Sequence, residues 1–348
     1  MIGYAWRTGF GAAEESELRE MLAEAAAADA EAGFPRVSLD QRYGADASHL
    51  VVRLLPDERA GRDVPAASPL AAYLRVEPDP GGGPATARYV VRPAFRSRGI
   101  STLLLERLGL DLRAPGGWAG TGVSAVRIWA RGDHPAAERI ARHFQQFGVQ
   151  TARRQWQLLA PLRPDGQPGP DVRPGLDRWP ARPPADAAEQ AAVADLWRRA
   201  GRPELPGYAE VLVTGPGPDV SGAAWFDPQA GERTEYGTAG RIIAVLAGEL
   251  VRLESPVPAT AATVPATVDA GPDGQRAGRG GAASGCDAAA IRAELLSAAM
   301  AGLRDHGLRV AAIAVDTQDH ALARSCRLLG FRHDRTDTEY ILSEVPRR

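Results

Sequence analysis

The residues with the clearest chemical potential form an arginine-rich turn between an apolar segment and an amphipathic one. The apolar segment ends at Val91 and is followed by Pro93. Arg96, Arg98 and Gly99 come next, directly before a segment with helical apolar spacing. The first turn of a helix presents unpaired backbone N–H groups and the positive end of the helix dipole. Together with two guanidinium groups, this arrangement predicts an anion site large enough for a diphosphate.

A later stretch repeats the spacing of this turn. Gln275, Gly278 and Gly280 stand at the same intervals, and Arg276 adds a positive charge. The stretch lies within residues 255–287, which are rich in Ala, Gly, Thr, Pro and Ser and are expected to form mostly loop. The spacing therefore predicts either a second anion site or a low-complexity loop that matches by chance.

The elements that must position the first turn follow an α/β pattern. Apolar residues recur at helical spacing in some segments, and short apolar runs bounded by Gly and Pro alternate with them. The expected helices of the first half cover residues 12–30, 99–110 and 135–147, and the expected strands cover 49–55, 70–76, a segment ending at Val91, 123–129 and 155–159.

The second half repeats this order of elements more loosely. Its expected helices cover residues 187–200, 290–306 and 320–329, and its expected strands cover 241–253 (or a hairpin around Gly248), 309–315 and 338–342. A chain of 348 residues has room for two such units. The predicted domains are residues 1–160, a Pro- and Gly-rich linker at 161–170, and residues 171–348 with the insertion near 255–287.

The composition excludes several classes of protein. Acidic residues number 43 and basic residues 41, so neither a nucleic acid nor a membrane surface is expected as the main partner. Only two cysteines occur, and no metal-ligand spacing is present, so we expect no metal and a reducing cytoplasm. Neither Lys nor Asn occurs in the sequence, a bias typical of the GC-rich genomes of actinobacteria.

The turn after Val91 resembles the acyl-CoA loop of the GNAT acetyltransferases, whose pattern is Arg or Gln, two residues, Gly, one residue, Gly or Ala. Here the last position is Ser101. Two tandem units of this kind, in a chain of this size, resemble the mycothiol synthases of actinobacteria. Further runs resemble that family, among them those at 129–132, 157–163, 224–228, 315–317, 329–331 and 337–340.

The resemblance implies a fold, a reaction and a set of contacts. It implies an α/β (α+β) protein of two GNAT-like domains, each with a mixed, mostly antiparallel sheet flanked by helices. It implies transfer of an acyl group from acyl-CoA, with acetyl-CoA expected, to a small amine. The residues expected to bind this co-substrate are Val90, Val91, Arg96, Ser97, Arg98, Gly99, Ser101 and Thr102, and, if the second loop is functional, Gln275, Arg276, Gly278 and Gly280.

The family's acid and base are not matched in this sequence. The resemblance implies a Glu before the second loop and a Tyr before the Leu-Gly-Phe run, and the matching positions are about Val264 and Cys326. Cys326 is a candidate general acid, although a buried packing role fits a free Cys better. His320, at an expected helix start, is a candidate proton acceptor, although a solvated helix-start residue is the simpler interpretation.

Three functional hypotheses follow from the resemblance and from the departures from it. The first is mycothiol synthesis, and the second is acylation of another amine by a diverged natural-product enzyme. The third is a protein that binds acyl-CoA without catalysis, which the missing acid and base favour. The protein is expected to be a monomer or a homodimer.

Overall fold

The computed structural model divides the chain into two compact units. Unit 1 comprises Met1–Gln155 and Arg335–Arg348, and unit 2 comprises Trp156–Asp334. The structure describes residues 1–32, 34, 46–55, 68–114, 116–162, 180–200, 209–215, 220–234, 236–247 and 281–343. The sequence predicts domains at 1–160 and 171–348 joined by a linker, and in the structure the segment Arg335–Arg348 groups with unit 1.

The elements up to the boundary alternate as the sequence predicts. In chain order they are β1 Ile2–Arg7, α1 Ala12–Glu31, β2 Ser48–Leu54, β3 Leu70–Glu77, β4 Ala85–Val91, α2 Ile100–Leu108, β5 Val126–Ala130, α3 Pro135–His143 and β6 Val149–Pro161. The strand β1 is an addition to the predicted set, and α3 ends four residues earlier than predicted because residues 145–147 form a 3-10 turn.

The remaining elements include two strands that the sequence pattern does not reveal. In chain order they are α4 Ala187–Arg199, β7 Glu210–Thr214, β8 Gly222–Thr234, β9 Gly237–Ala247, α5 Gly281–Asp305, β10 Val310–Asp316, α6 His320–Leu328 and β11 Arg332–Leu342. The unexpected strands are β7 and β8, and β8 contains Pro228, a residue that argues against a regular strand. The helix α5 begins at Gly281, inside the stretch expected to be loop, where alanines favour helix.

The sheet of unit 1 follows the order β1-β2-β3-β4-β5-β11. Its pairs are antiparallel except β4 with β5, which are parallel. The last strand pairs with β5 over Thr338↔Ala130 to Leu342↔Val126. One apolar cluster, around Leu104 and Trp118, includes α2, and another, around Met21 and Tyr73, includes α1. These clusters hold the two helices that flank the predicted anion site.

The sheet of unit 2 follows the order β6-β10-β9-β8-β7. Here β9 and β10 are the parallel pair, and β7, β8 and β9 are antiparallel. The predicted apolar stripe of α5 is confirmed, because Leu295, Ala299 and Leu303 are completely buried in the largest cluster. Both units therefore have the predicted mixed, mostly antiparallel sheet with helices.

Candidate functional site

The strands β4 and β5 lie side by side over only three residue pairs, from Ala85↔Val126 to Ala87↔Ile128. Beyond these pairs β4 continues to Val91 while remaining paired with β3 on its other side. One backbone edge of residues 88–91 therefore faces a gap between the two strands, called the strand gap below. Such an edge offers N–H and C=O groups to an extended ligand.

The turn after the strand gap has an unusual backbone. Pro93–Phe95 forms a single 3-10 turn, and Arg96 is extended. Ser97 and Gly99 both have positive φ, of 61° and 75°. A left-handed conformation is disfavoured for a residue with a side chain, so Gly99 suits its position while Ser97 is held there against preference. The turn connects the end of β4 directly to the start of α2.

The start of α2 has neither a side-chain cap nor an acidic residue in its first turn. Its first main-chain hydrogen bond runs from Leu103 N to Gly99 O, at 2.9 Å. The amides that precede Leu103 consequently have no partner within the helix. A Cβ placed on Gly99 would meet nothing within 4 Å, so the space in front of the turn is open. This geometry fits the predicted diphosphate site.

The structure places Arg96 differently from the expectation that it faces the diphosphate. Its NH1 donates to Asp29 Oδ1 at 2.6 Å, and its Nε donates to Val91 O at 3.1 Å. The guanidinium thus ties the turn to α1 and to the end of β4. A parallel contact joins Arg92 to Glu24, at 2.6 and 2.7 Å. These two pairs fix the turn rather than leave a cation available for a ligand.

The positive charge at the face of the turn belongs to Arg98. Arg98 is exposed, and its guanidinium carbon lies 5.5 Å from the centroid of the Phe95 ring. Such a stacked guanidinium keeps its N–H donors available at the ring edge. Of the two predicted arginines, Arg98 is therefore the one whose charge is exposed at the turn.

The other predicted contact residues surround the turn. Val90 is buried against α1, and Val91 packs toward α2. Ser101 and Thr102 lie half-buried in the first turn of α2. Burial raises the pKa of Tyr89 to about 12, and its neighbour Ser101 offsets part of that rise. The Tyr89 hydroxyl consequently stays protonated at neutral pH.

The second predicted loop cannot be placed. Gln275, Arg276, Gly278 and Gly280 lie outside the described residues, as does Val264. The predicted linker from residue 163 onward also lies outside them. The second anion site therefore stays a prediction.

The candidate acid Cys326 lies in the core of unit 2. Its side chain is completely buried, among neighbours that include Leu322 and Phe331. Burial, followed by the nearby charge of Asp319, raises the pKa of Cys326 to about 12. A buried thiol with this pKa neither exchanges protons readily at neutral pH nor forms a thiolate. The structure therefore favours the packing role for Cys326.

The candidate base His320 is the first residue of α6 and is exposed. The residue before it, Asp319, caps the helix by accepting from Leu322 N at 2.9 Å. This side-chain cap satisfies an amide that the start of α2 leaves available. No contact in the described part of the chain connects His320 with a reacting group.

A cluster of charged side chains lies on the α1 face of the unit 1 sheet, and it cannot be recognised from the sequence. Arg75 pairs in register with Arg88, and Glu77 pairs with Thr86. Glu77 Oε2 lies 3.0 Å from Arg75 NH2 and 3.7 Å from Arg88 Nε. At the end of β5, Arg131 donates to the fully buried Asp337 at 2.7 Å. These residues come from separate strands, so only the sheet register reveals their proximity.

Two further kinds of feature are absent from the described ranges. Among those residues, no group of three or more His, Cys, Asp or Glu side chains is arranged to hold a metal ion. The same part of the chain contains no helix with the length and apolar character needed to span a bilayer.

Comparison with known proteins gives consistent results. No family model matches the chain. It is 32% identical over 231 residues to a mycothiol acetyltransferase of Nocardia farcinica, an alignment that spans 65% of each protein. It is 29% identical to that of Thermobispora bispora, over 78% of this chain and 79% of the relative. It is also 29% identical to that of a Parafrankia species, over 98% of both.

Solved structures agree with the fold. A GCN5-related N-acetyltransferase from Sphaerobacter thermophilus matches with a TM-score of 0.53 and 17% identity, over 98% of this chain and 96% of that one. A tandem GNAT protein of clavulanic acid biosynthesis matches with a TM-score of 0.52 and 13% identity, over the full length of both. At these identities the match concerns the fold, which is the one predicted from the sequence.

Proposed function

We propose, from the premise that the chain is an acyl-CoA-dependent N-acetyltransferase, that its unit 1 binds acetyl-CoA and carries out acetyl transfer to a small amine. The observation that carries the assignment to unit 1 is the combination of strand gap, turn and uncapped helix at residues 88–102. The strand edge suits the amide-bearing arm of the co-substrate. The amides before Leu103, together with Arg98, suit its diphosphate.

The proposed reaction needs little covalent assistance from the protein. The neutral amine nitrogen attacks the thioester carbonyl carbon, a C–N bond forms, and the C–S bond breaks. The proton lost from nitrogen ends on the sulfur of the departing thiol, directly or through water. Alignment of amine and thioester, with polarisation of the carbonyl by a strand amide, supplies the main acceleration.

The acceptor is a further part of the proposal. Relatives named mycothiol acetyltransferase favour an acceptor amine related to mycothiol. The sequence does not match that family's acid and base, and the structure buries Cys326 at the matching position. A diverged acceptor, with the same co-substrate, is therefore the alternative within the proposed function.

The proposed function is tested by following thiol release from acetyl-CoA with a panel of small amines across pH. The rate is expected to rise with pH through the pKa of the acceptor's own amine, because Cys326 has a pKa of about 12 and remains a thiol. The variant Cys326→Ala should keep most of the activity. Loss of activity in a folded Cys326→Ala protein that still binds acetyl-CoA would contradict this view. Tight acetyl-CoA binding without transfer to any amine would instead favour a binding protein.

A further inference from the structure

We propose that the hydroxyl of Tyr89 positions the hydroxyl of Ser101, and that Ser101 then donates a hydrogen bond to the diphosphate of the co-substrate. Tyr89 is in this view a positioning residue, whereas Ser101 contacts the ligand. The inference rests on the proposed function, because it deepens the description of the same co-substrate site. It gives a role to a tyrosine hydroxyl that is buried beside the start of α2.

The sheet register places Tyr89 beside the strand gap and next to α2. The pairing of β4 with β5 ends at Ala87, two residues before Tyr89, while Tyr89 still pairs with Leu74 of β3. The Tyr89 side chain packs against the apolar cluster that includes Ile100 of α2. Val90, the next residue, packs in the cluster of α1 instead, as expected from the alternation of side chains along a strand. Tyr89 therefore faces α2.

The hydroxyl of Tyr89 is a buried polar group without a regular hydrogen bond. Its oxygen is shielded from solvent, and no group in the described part of the chain forms a hydrogen bond of ordinary geometry with it. Burying a hydroxyl without a full hydrogen bond costs free energy, so such groups are rare in folded proteins and often belong to functional sites. The Tyr89 hydroxyl thus has hydrogen-bonding capacity that a ligand-bound arrangement can use.

Ser101 is the polar neighbour of this hydroxyl. It lies half-buried in the first turn of α2. Burial raises the pKa of Tyr89 to about 12, and the adjacent Ser101 hydroxyl opposes that rise. With this pKa, Tyr89 keeps its proton at neutral pH and can act as a hydrogen-bond donor toward Ser101.

A serine hydroxyl can connect Tyr89 with an anion. It has one O–H donor and two acceptor positions, so Ser101 can accept from Tyr89 while it donates to a phosphate oxygen. Donation from Tyr89 polarises the Ser101 hydroxyl and strengthens it as a donor. The amide of Ser101 also precedes Leu103 and has no partner within the helix. A Gly or Ala, as in the acyl-CoA loop pattern, would offer this amide alone.

The test compares CoA with pantetheine, which lacks the diphosphate, in calorimetric titrations. Ser101→Ala should weaken CoA binding about 10-fold, because it removes a hydrogen bond to a charged group. Tyr89→Phe should weaken CoA binding about 3- to 10-fold. In a Ser101→Ala background, Tyr89→Phe should change CoA affinity less than about twofold, because both residues act through one hydrogen bond. Neither substitution should change the affinity for pantetheine.

A stability measurement separates positioning from a purely structural role. Tyr89→Phe should not lower the free energy of unfolding of the ligand-free protein, because the hydroxyl loses no regular hydrogen bond there. The matched control is Tyr4→Phe. Tyr4 packs against the same apolar cluster, but from β1, which lies three strands away from β4. This control should leave CoA affinity unchanged.

Several results would overturn the inference. Additive effects of the two substitutions on CoA affinity would do so, as would an equal loss of pantetheine affinity. Parental CoA affinity in the Tyr89→Phe protein would exclude a role for its hydroxyl. A parent protein that binds no CoA would overturn both this inference and the proposed function. A parent protein that binds CoA but transfers no acetyl group to any amine would contradict the proposed function alone, because these titrations require no transfer.

Discussion

The starts of α2 and α6 occupy similar places, each after a strand, yet they satisfy their backbone amides differently. At α6, the side chain of Asp319 accepts from Leu322 N. At α2, Gly99 has no side chain to offer, and the exposed charge nearby is that of Arg98. At a capped helix start, a side chain of the protein accepts hydrogen bonds from the first amides. An uncapped, positively charged start is instead stabilised by an external anion. This difference separates the proposed co-substrate site from the helix that carries His320 and Cys326.

The start of α1 shows what an uncapped helix needs when no ligand is involved. Its N-cap is Gly11, also without a side-chain hydrogen bond, but Glu14 and Glu15 lie in its first turn. Their negative charges compensate the positive helix end. The first turn of α2 has no acidic residue, so we expect a bound anion to provide this compensation.

The largest effect is expected when the start of α2 is blocked, which tests directly whether the two helix starts differ in ligand binding. Gly99→Val should weaken acetyl-CoA binding by about 100-fold or more, because a side chain there occupies the space that the diphosphate needs and removes charge-assisted hydrogen bonds. Calorimetric titration measures the change. The control is Gly82→Val, since Gly82 also has a φ of 75° and open space around its Cβ position, but lies in the β3–β4 turn. Equal effects of the two substitutions would mean that backbone strain, rather than a lost ligand contact, explains the result.

A second substitution, with a smaller expected effect, separates the contribution of the Arg98 charge to acetyl-CoA binding from that of the backbone amides of α2. Arg98→Gln should weaken acetyl-CoA binding about 10-fold at low salt and less at high salt, because its exposed charge is screened. Arg19→Gln is the control, since Arg19 is exposed and pairs with Glu15 on α1. Titrations at two salt concentrations provide the measurement. If the Arg98→Gln protein kept the parental acetyl-CoA affinity at low salt, the backbone amides alone would account for the anion site.

The smallest effect is expected at α6. Asp319→Ala removes the cap and should lower the free energy of unfolding by about 1 kcal/mol, without changing acetyl-CoA affinity. Denaturant unfolding and calorimetry measure the two quantities. A loss of acetyl-CoA binding in the folded variant would show that the start of α6 contributes to the site after all.

The sequence predicts the local part of the site and misses its long-range part. The turn at residues 96–101 is recognisable because proline, arginine and glycine act on neighbouring backbone. The ion pair of Arg96 with Asp29, 67 positions earlier, is not recognisable, because it depends on how α1 packs. The cluster of Arg75, Arg88 and Arg131 is hidden for the same reason, since it depends on strand register.

The fold was predicted to a similar extent. The strand β10, with strong apolar periodicity, was predicted with only a one-residue error at each end. The helix α5 was predicted as a helix, but it begins nine residues before the predicted start at residue 290. The strand β8 was missed because Pro228 and its glycines weaken the strand pattern, while tertiary pairing with β7 and β9 overrides that weakness. The sequence predicts domains at 1–160 and 171–348 joined by a linker, because a sequence pattern cannot show that residues 338–342 pair with β5.

The position of β11 in unit 1 determines when the sheet of unit 1 can be completed during protein synthesis. The ribosome completes Met1–Gln155 long before it reaches the strand that pairs with β5 and supplies Asp337 to Arg131. Unit 2 is synthesised in between. The edge of β5 therefore stays unpaired during translation, and the nascent N-terminal segment gains its last strand only after unit 2 has been synthesised.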